Sequence, residues 1–150
     1  MIINSYNCFN LYKISRGIIR LYTPFLDKLN LTYPQYLVLL VLYEKKEIPF
    51  NELSSILELS TGTLSPLIKK MIDNNLILKK KAQEDCRKSL ISLTTKAIEL
   101  ESTVAEIHET FLSHFEITEE ENIKITESIN LLLEKINNFS KEENIAKETL

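Results

Sequence analysis

Cys8 and Cys86 are the only thiols in a chain of 150 residues, and His108 and His114 are its only imidazoles. With no CxxC pair and no Cys/His set at zinc spacing, these four residues predict neither a structural metal nor a bound cofactor. What a lone cysteine can do is react. A thiolate attacks a peroxide oxygen, and a thiol of ordinary pKa, about 8.5, reaches that form at neutral pH only beside a helix N-terminus or hydrogen-bond donors. Cys8 stands near the start of the first helix that the sequence predicts, and Tyr12 lies one turn on along the same face. The competing reading of a single cysteine on a helix face is a small buried hydrophobe. The residue by itself leaves both open.

A second group of residues suits a polyanion. Ser60, Thr61, Thr63 and Ser65 place short hydroxyls in the first turns of a helix, where they can meet base edges or phosphates. Lys69 and Lys70 continue its exposed side, and Leu64, Leu67, Ile68 and Met71 supply its buried face. Further on, Lys81, Asp85, Arg87 and Lys88 occupy a polar segment whose tip can reach a minor groove, where a narrow electronegative cleft favours arginine. Asp85 is placed to hold Arg87. The net charge of −3 conceals this grouping: residues 66–96 carry seven Lys and one Arg against Asp73, Glu84 and Asp85, whereas four Lys oppose thirteen Glu from Ala97 onward. A run of charge is usually a solvated face, so its position within the fold decides its meaning.

The elements that must position these residues are mostly helical. Leu11, Tyr12, Ser15, Ile18, Ile19, Tyr22, Leu26 and Leu29 recur at helical spacing, with Pro24 expected to bend or end that helix. Thr32, Tyr33, Pro34 and Gln35 read as a capping box opening a helix to about Tyr43. Pro49 and Asn51 introduce a short helix over Glu52 to Leu57, and a second follows the turn Glu58, Leu59, Ser60, stopped by Asn74 and Asn75. Because a proline beyond the first turn clashes with the preceding turn, a start at Thr63 would spare Pro66. Ile77 to Lys81 and Ser89 to Leu93 form a β-hairpin, Thr94 or Thr95 caps a helix to about Phe115, and Thr118 opens another to about Phe139 with the last ten residues frayed.

The expectation is therefore a single domain over 1–150, mostly α with a small β-hairpin wing: a winged helix-turn-helix whose second helix enters the major groove of duplex DNA. No apolar run approaches the roughly 18 residues of a membrane span, and residues 1–7 lack a secretory signal's order, so a cytoplasmic protein is expected.

At this point Leu59 to Lys70 (LSTGTLSPLIKK) and Asp85 to Thr94 (DCRKSLISLT) resemble the recognition helix and wing of the MarR family, over residues 6–140. Cys8 to Tyr12 (CFNLY) and Leu31 to Leu39 (LTYPQYLVL) are similar, more narrowly, to its OhrR branch of repressors that sense organic hydroperoxides. The resemblance implies a winged-helix part at about 33–93 and a homodimer built from helices at about 5–30 and 95–139, bound to a pseudo-palindromic operator. It also implies a reactive thiol at Cys8, with Tyr22 and Tyr33 hydrogen-bonding to it. Cys86 stands where the family usually has an acid and Ala97 where it has glycine; neither threatens DNA binding.

Geometry adds one requirement. Tyr22 lies fourteen residues beyond Cys8, about 21 Å along a straight helix, so its hydroxyl must come from the partner of a two-fold dimer. Hydroperoxide would then convert Cys8 to a sulfenic acid, a small cellular thiol would cap it as a mixed disulfide, and the reading helices would lose their spacing. With no cysteine on the C-terminal helices, the chain resembles the one-cysteine subtype. Three other readings compete: a regulator sensing a small aromatic ligand with Cys8 inert, a thiol peroxidase, for which no recycling cysteine or Cys/His pairing is present, and a helical interaction protein without DNA. A non-enzymatic regulator is the expectation.

Overall fold

The computed structural model describes residues 7–81, 89–113 and 117–148, in two compact units, Met1–Leu112 and Ser113–Leu150. In the first, α1 (Asn7–Leu26) leads through a 3-10 turn (Asp27–Leu29) to α2 (Tyr33–Lys45), β1 (Glu47–Pro49), α3 (Phe50–Ile56), α4 (Thr61–Asp73), β2 (Ile77–Lys81), β3 (Ser89–Leu93), α5 (Thr95–Glu99) and α6 (Glu101–Ser113). The second is dominated by α7 (Glu119–Glu148).

The hub is α2. Gln35 Oε1 accepts the Thr32 amide hydrogen at 2.9 Å, and Pro34 occupies the first turn, where its missing N–H has no carbonyl to serve. Tyr36, Val38, Leu39 and Leu42 are buried on several sides of this helix, as expected of one packed against α1, α4, β1 and β3 together. On α4 the apolar positions form one stripe instead: Leu64, Ile68 and Met71 are buried and fasten it to the hub, leaving its other face to solvent.

The hairpin strands fall where alternation placed them, and β3 lies between β2 and β1 in an antiparallel sheet with Lys79 opposite Ile91 and Ile48 opposite Ile91 on the other side. β1 was not expected from the sequence. Three residues with proline at the end carry too little alternation to be seen without their partner strand.

Several boundaries are corrected. The start at Thr63 that would spare Pro66 does not form: α4 starts at Thr61, because Ser60 is its N-cap, its Oγ accepting the Thr63 amide hydrogen at 3.2 Å. Pro66 thus lies inside α4 and deprives the exposed Gly62 carbonyl of its amide donor, which water can replace. Pro24 likewise lies within α1, which ends two residues later at Leu26. The helix drawn over 95–115 is broken at Leu100 into α5 and α6, and α7 continues as helix to Glu148 through residues expected to fray. Asn75 does supply the left-handed stop of α4 (φ 57°), with Leu76 N–H donating to the Met71 carbonyl at 2.9 Å.

A half-buried tie joins the hub to α5: the Tyr43 hydroxyl donates to the Ala97 carbonyl at 2.7 Å. Burial, with the nearby Glu101 carboxylate second, pushes the Tyr43 phenol up to about 12 from its usual 10.0. A raised folded-state value means that this contribution to stability is complete below pH 10 and is lost as pH rises towards 12. Tyr43→Phe is expected to cost about 1 kcal/mol at neutral pH and to flatten part of the alkaline decline, as read by urea unfolding between pH 7 and about 12.

Candidate functional site

The reading head is built by α3, a tight turn and α4. Glu58 takes a left-handed conformation (φ 52°), Leu59 N–H donates to the Ser54 carbonyl at 3.1 Å and Ser54 Oγ donates to the Leu59 carbonyl, so the turn is bonded on both strands of its path. Leu53 and Phe50 anchor α3 from below. What remains outward on α4 is polar: Thr61, Thr63, Ser65, Lys69 and Lys70 are all exposed. Ser60 and Thr63 hydroxyls lie 3.0 Å apart in the first turn, where free amides favour an anion. Loss of the Ser60 cap in Ser60→Ala should cost about 1 kcal/mol of stability by urea unfolding.

Between the start of α3, the first two turns of α4 and the sheet lies a cleft of about 470 Å³, lined by Asn51, Thr61, Ser65, Lys79 and Ser89 among others. Lys79 crosses its wall with Nζ 5.1 Å from the Phe50 ring centroid, its stem covering apolar surface while the ammonium stays exposed. Lys79 was absent from the residues picked out by sequence; strand alternation put it on the same face as Lys81, but only the fold brings that face beside Thr61 and Ser65. Lys81 is exposed at the end of β2. Asp85, Cys86, Arg87 and Lys88 lie outside the described residues. Not every lysine of the basic stretch is free: Lys96 Nζ donates to the Asn74 carbonyl at 3.0 Å, closing the C-terminal end of α4.

The thiol chemistry is set apart from this surface. Cys8 and Tyr12 are both exposed near the N-terminal end of α1, with Tyr12 62% accessible. Tyr22 and Tyr33 are brought together, ring centroids 5.3 Å apart, in a cluster that includes Tyr36 at 5.4 Å and Phe111 at 4.3 Å from Tyr22. The helix between Cys8 and Tyr22 is continuous, so the separation expected from the sequence holds within one chain. Burial, followed by the neighbouring Tyr36 and Tyr33 phenols, pushes Tyr22 far up, and burial raises Tyr33 and Tyr36 as well. All three remain hydrogen-bond donors at neutral pH. The Tyr22 hydroxyl lies 3.1 Å from His108 Nδ1 on α6, a pairing that sequence separation concealed.

A helix-turn-helix whose hydroxyl-bearing second helix stands free, followed by a small sheet, is the winged helix-turn-helix of DNA-binding transcriptional regulators. Residues 20–104 match the family described as transcriptional regulator SarA/Rot, and the chain belongs to that group of MarR-like winged-helix regulators. It is 39% identical over 129 residues to the organic hydroperoxide resistance transcriptional regulator of Bacillus subtilis (strain 168), covering 86% of this chain and 88% of that protein. To the HTH-type transcriptional regulator SarZ of Staphylococcus epidermidis it is 31% identical over 134 residues, with 89% of each covered. The solved structure of reduced AbfR bound to DNA superposes with a TM-score of 0.72 at 28% identity, over 86% of this chain and 90% of that one; AbfR is a protein of S. epidermidis. Among the described residues no helix is long and apolar enough to cross a membrane.

Proposed function

We propose that the protein is a cytoplasmic homodimer, most simply a repressor, that holds a pseudo-palindromic operator and releases it when organic hydroperoxide oxidises Cys8. The observation that carries this reading is the separation of the sensing parts: an exposed Cys8 with Tyr12 at one end of α1, and Tyr22 with Tyr33 gathered at the other. A two-fold crossing of first helices brings the thiol of one copy to the tyrosines of the next. The 39% sequence identity to a regulator named for organic hydroperoxide resistance supports the same chemistry.

The dimer is supported by apolar side chains that each unit leaves exposed, Phe9, Leu11, Ile14 and Leu21 on α1 and Ile129, Leu132, Leu133, Ile136 and Phe139 on α7. So much exposed apolar surface on two helices calls for a partner. On this reading the winged part spans about 33–93, the pairing helices about 5–30 and 95–139, and all serve one domain.

In the reaction the Cys8 thiolate attacks the distal peroxide oxygen; the O–O bond breaks, an S–O bond forms, the distal oxygen keeps its hydrogen to give a sulfenic acid, and the alkoxide leaves as the alcohol by taking a proton from water. A small thiol then displaces water to leave a mixed disulfide, which adds bulk at the subunit boundary and spreads the two reading helices. Ser60, Thr61, Thr63 and Ser65 address base edges and the first-turn phosphate, Lys69, Lys70 and Lys81 the backbone, and Arg87, oriented by Asp85 and accompanied by Lys88, the minor groove.

Selection of duplexes from random sequence, with and without cumene hydroperoxide, tests the whole reading. Paired half-sites about one helical turn apart, lost on oxidation, are expected. Recovery of no repeated half-site, or enrichment indifferent to oxidant, would reject it.

A further inference from the structure

We infer that His108 is a positioning residue of the thiol sensor, acting through its 3.1 Å contact with the Tyr22 hydroxyl. The inference rests on the reading in which Tyr22 of one copy faces Cys8 of the other. A phenol carries one hydrogen and two lone pairs. If His108 Nδ1 accepts that hydrogen, Tyr22 can offer a thiolate only lone pairs, and the contact is repulsive. If Nδ1 carries a hydrogen of its own and donates it to the Tyr22 oxygen, the phenol hydrogen is released to point at sulfur. The imidazole therefore biases which way the one hydrogen points, and the Tyr36 phenol, the other polar group beside Tyr22, can itself donate to the same oxygen.

The arrangement on both sides of this bond suits such a role. The Tyr22 ring is 4% exposed and clamped among Tyr33, Tyr36 and Phe111, so within its own subunit its hydroxyl has two polar neighbours, the His108 imidazole and the Tyr36 phenol. His108 sits on the solvent side of α6, between the buried Ile107 and Val104 positions of that helix and open water. It packs no core, so its exchange removes a hydrogen bond without opening a cavity. In the donating state, His108 to Tyr22 to thiolate is a chain of two hydrogen bonds that reinforce one another and stabilise the charged sulfur. Once Cys8 is a neutral sulfenic acid with a hydrogen of its own, His108 can exchange its Nδ1 hydrogen for one on Nε2 through solvent and accept the phenol hydrogen, so the bond network has a second arrangement ready.

The test is the pH profile of Cys8 alkylation by iodoacetamide, followed on the Cys8 peptide by mass spectrometry in the full-length dimer. His108→Leu is expected to move the midpoint up by about half a unit and to slow sulfenylation by cumene hydroperoxide at neutral pH about threefold, while His108→Asn, whose amide can still donate, restores most of both. In a Tyr22→Phe background His108→Leu should have no further effect. Unchanged profiles in both His108 variants, with Tyr22→Phe still shifting the midpoint, would overturn the role of His108 and leave the sensor intact. If Tyr22→Phe shifts nothing either, the underlying sensor reading fails and the inference with it. A merely structural His108 would lower the melting temperature without moving the Cys8 midpoint, which also overturns the inference.

Discussion

Affinity for a palindromic duplex is expected to fall about a thousandfold between about 50 and about 200 mM salt, with a steep linear dependence on log salt. The cause is counterion release. Each copy presents Lys69 and Lys70 on the free side of α4 and Lys79 and Lys81 on β2, all exposed, so two copies reach the six or more phosphate contacts that such a slope requires. Their neighbourhood has few opposing acids on the same elements, whereas the strong acidic excess lies after Ala97. Lys69→Ala and Lys79→Ala should each reduce the slope by about one for every phosphate left without its lysine, and weaken all sequences alike. Thr63→Val should instead leave the slope intact and change which sequences are preferred, because a short hydroxyl reads or positions without releasing a counterion. Titrations by fluorescence anisotropy over a salt series check all three. A shallow slope in the parent chain would place the lysines among ordinary solvated charges.

Cys8→Ser is expected to leave operator binding unchanged without oxidant and to abolish its loss with oxidant. The parent chain should lose about 50-fold in affinity after organic hydroperoxide and a small thiol, near the middle of the range for coupling between separate sites. Serine keeps the size and the exposed position of the side chain at the end of α1, and it lacks only the nucleophile. A regulator driven by a small aromatic ligand would behave in the opposite way, responding to its ligand as before in Cys8→Ser and ignoring peroxide in both forms.

Much of this was legible in the residues because local and global signals agree. The hairpin strands alternate, Thr94 is a cap whose hydroxyl also ties it to the turn after α4, and the α4 stripe of Leu64, Ile68 and Met71 has the period of a helix half sunk in a core. Pro66 pointed to a start at Thr63 that the helix does not use, since the Ser60 cap fixes its start at Thr61 and the exposed Gly62 carbonyl tolerates the missing bond. Leu100 gave no warning of the break between α5 and α6, since nothing in its type interrupts a helix.

The site divides in the same manner. The exposed hydroxyls and lysines of α4 follow from helical periodicity alone. Tyr22 and Tyr33 entered through family resemblance, and their meeting in one cluster depends on how α1 packs on α2, which no spacing rule predicts. His108 and Lys79 were invisible for a related reason: one finds its partner 86 positions earlier in the chain, and the other matters because β2 passes beside α4.

The most direct measurement follows the oxidation state of Cys8 and the fraction of bound operator in the same samples through a titration with cumene hydroperoxide, using peptide-level mass spectrometry beside an anisotropy assay. The bound fraction should fall in step with modification of Cys8 and recover on reduction. Full binding with every Cys8 oxidised would contradict the account.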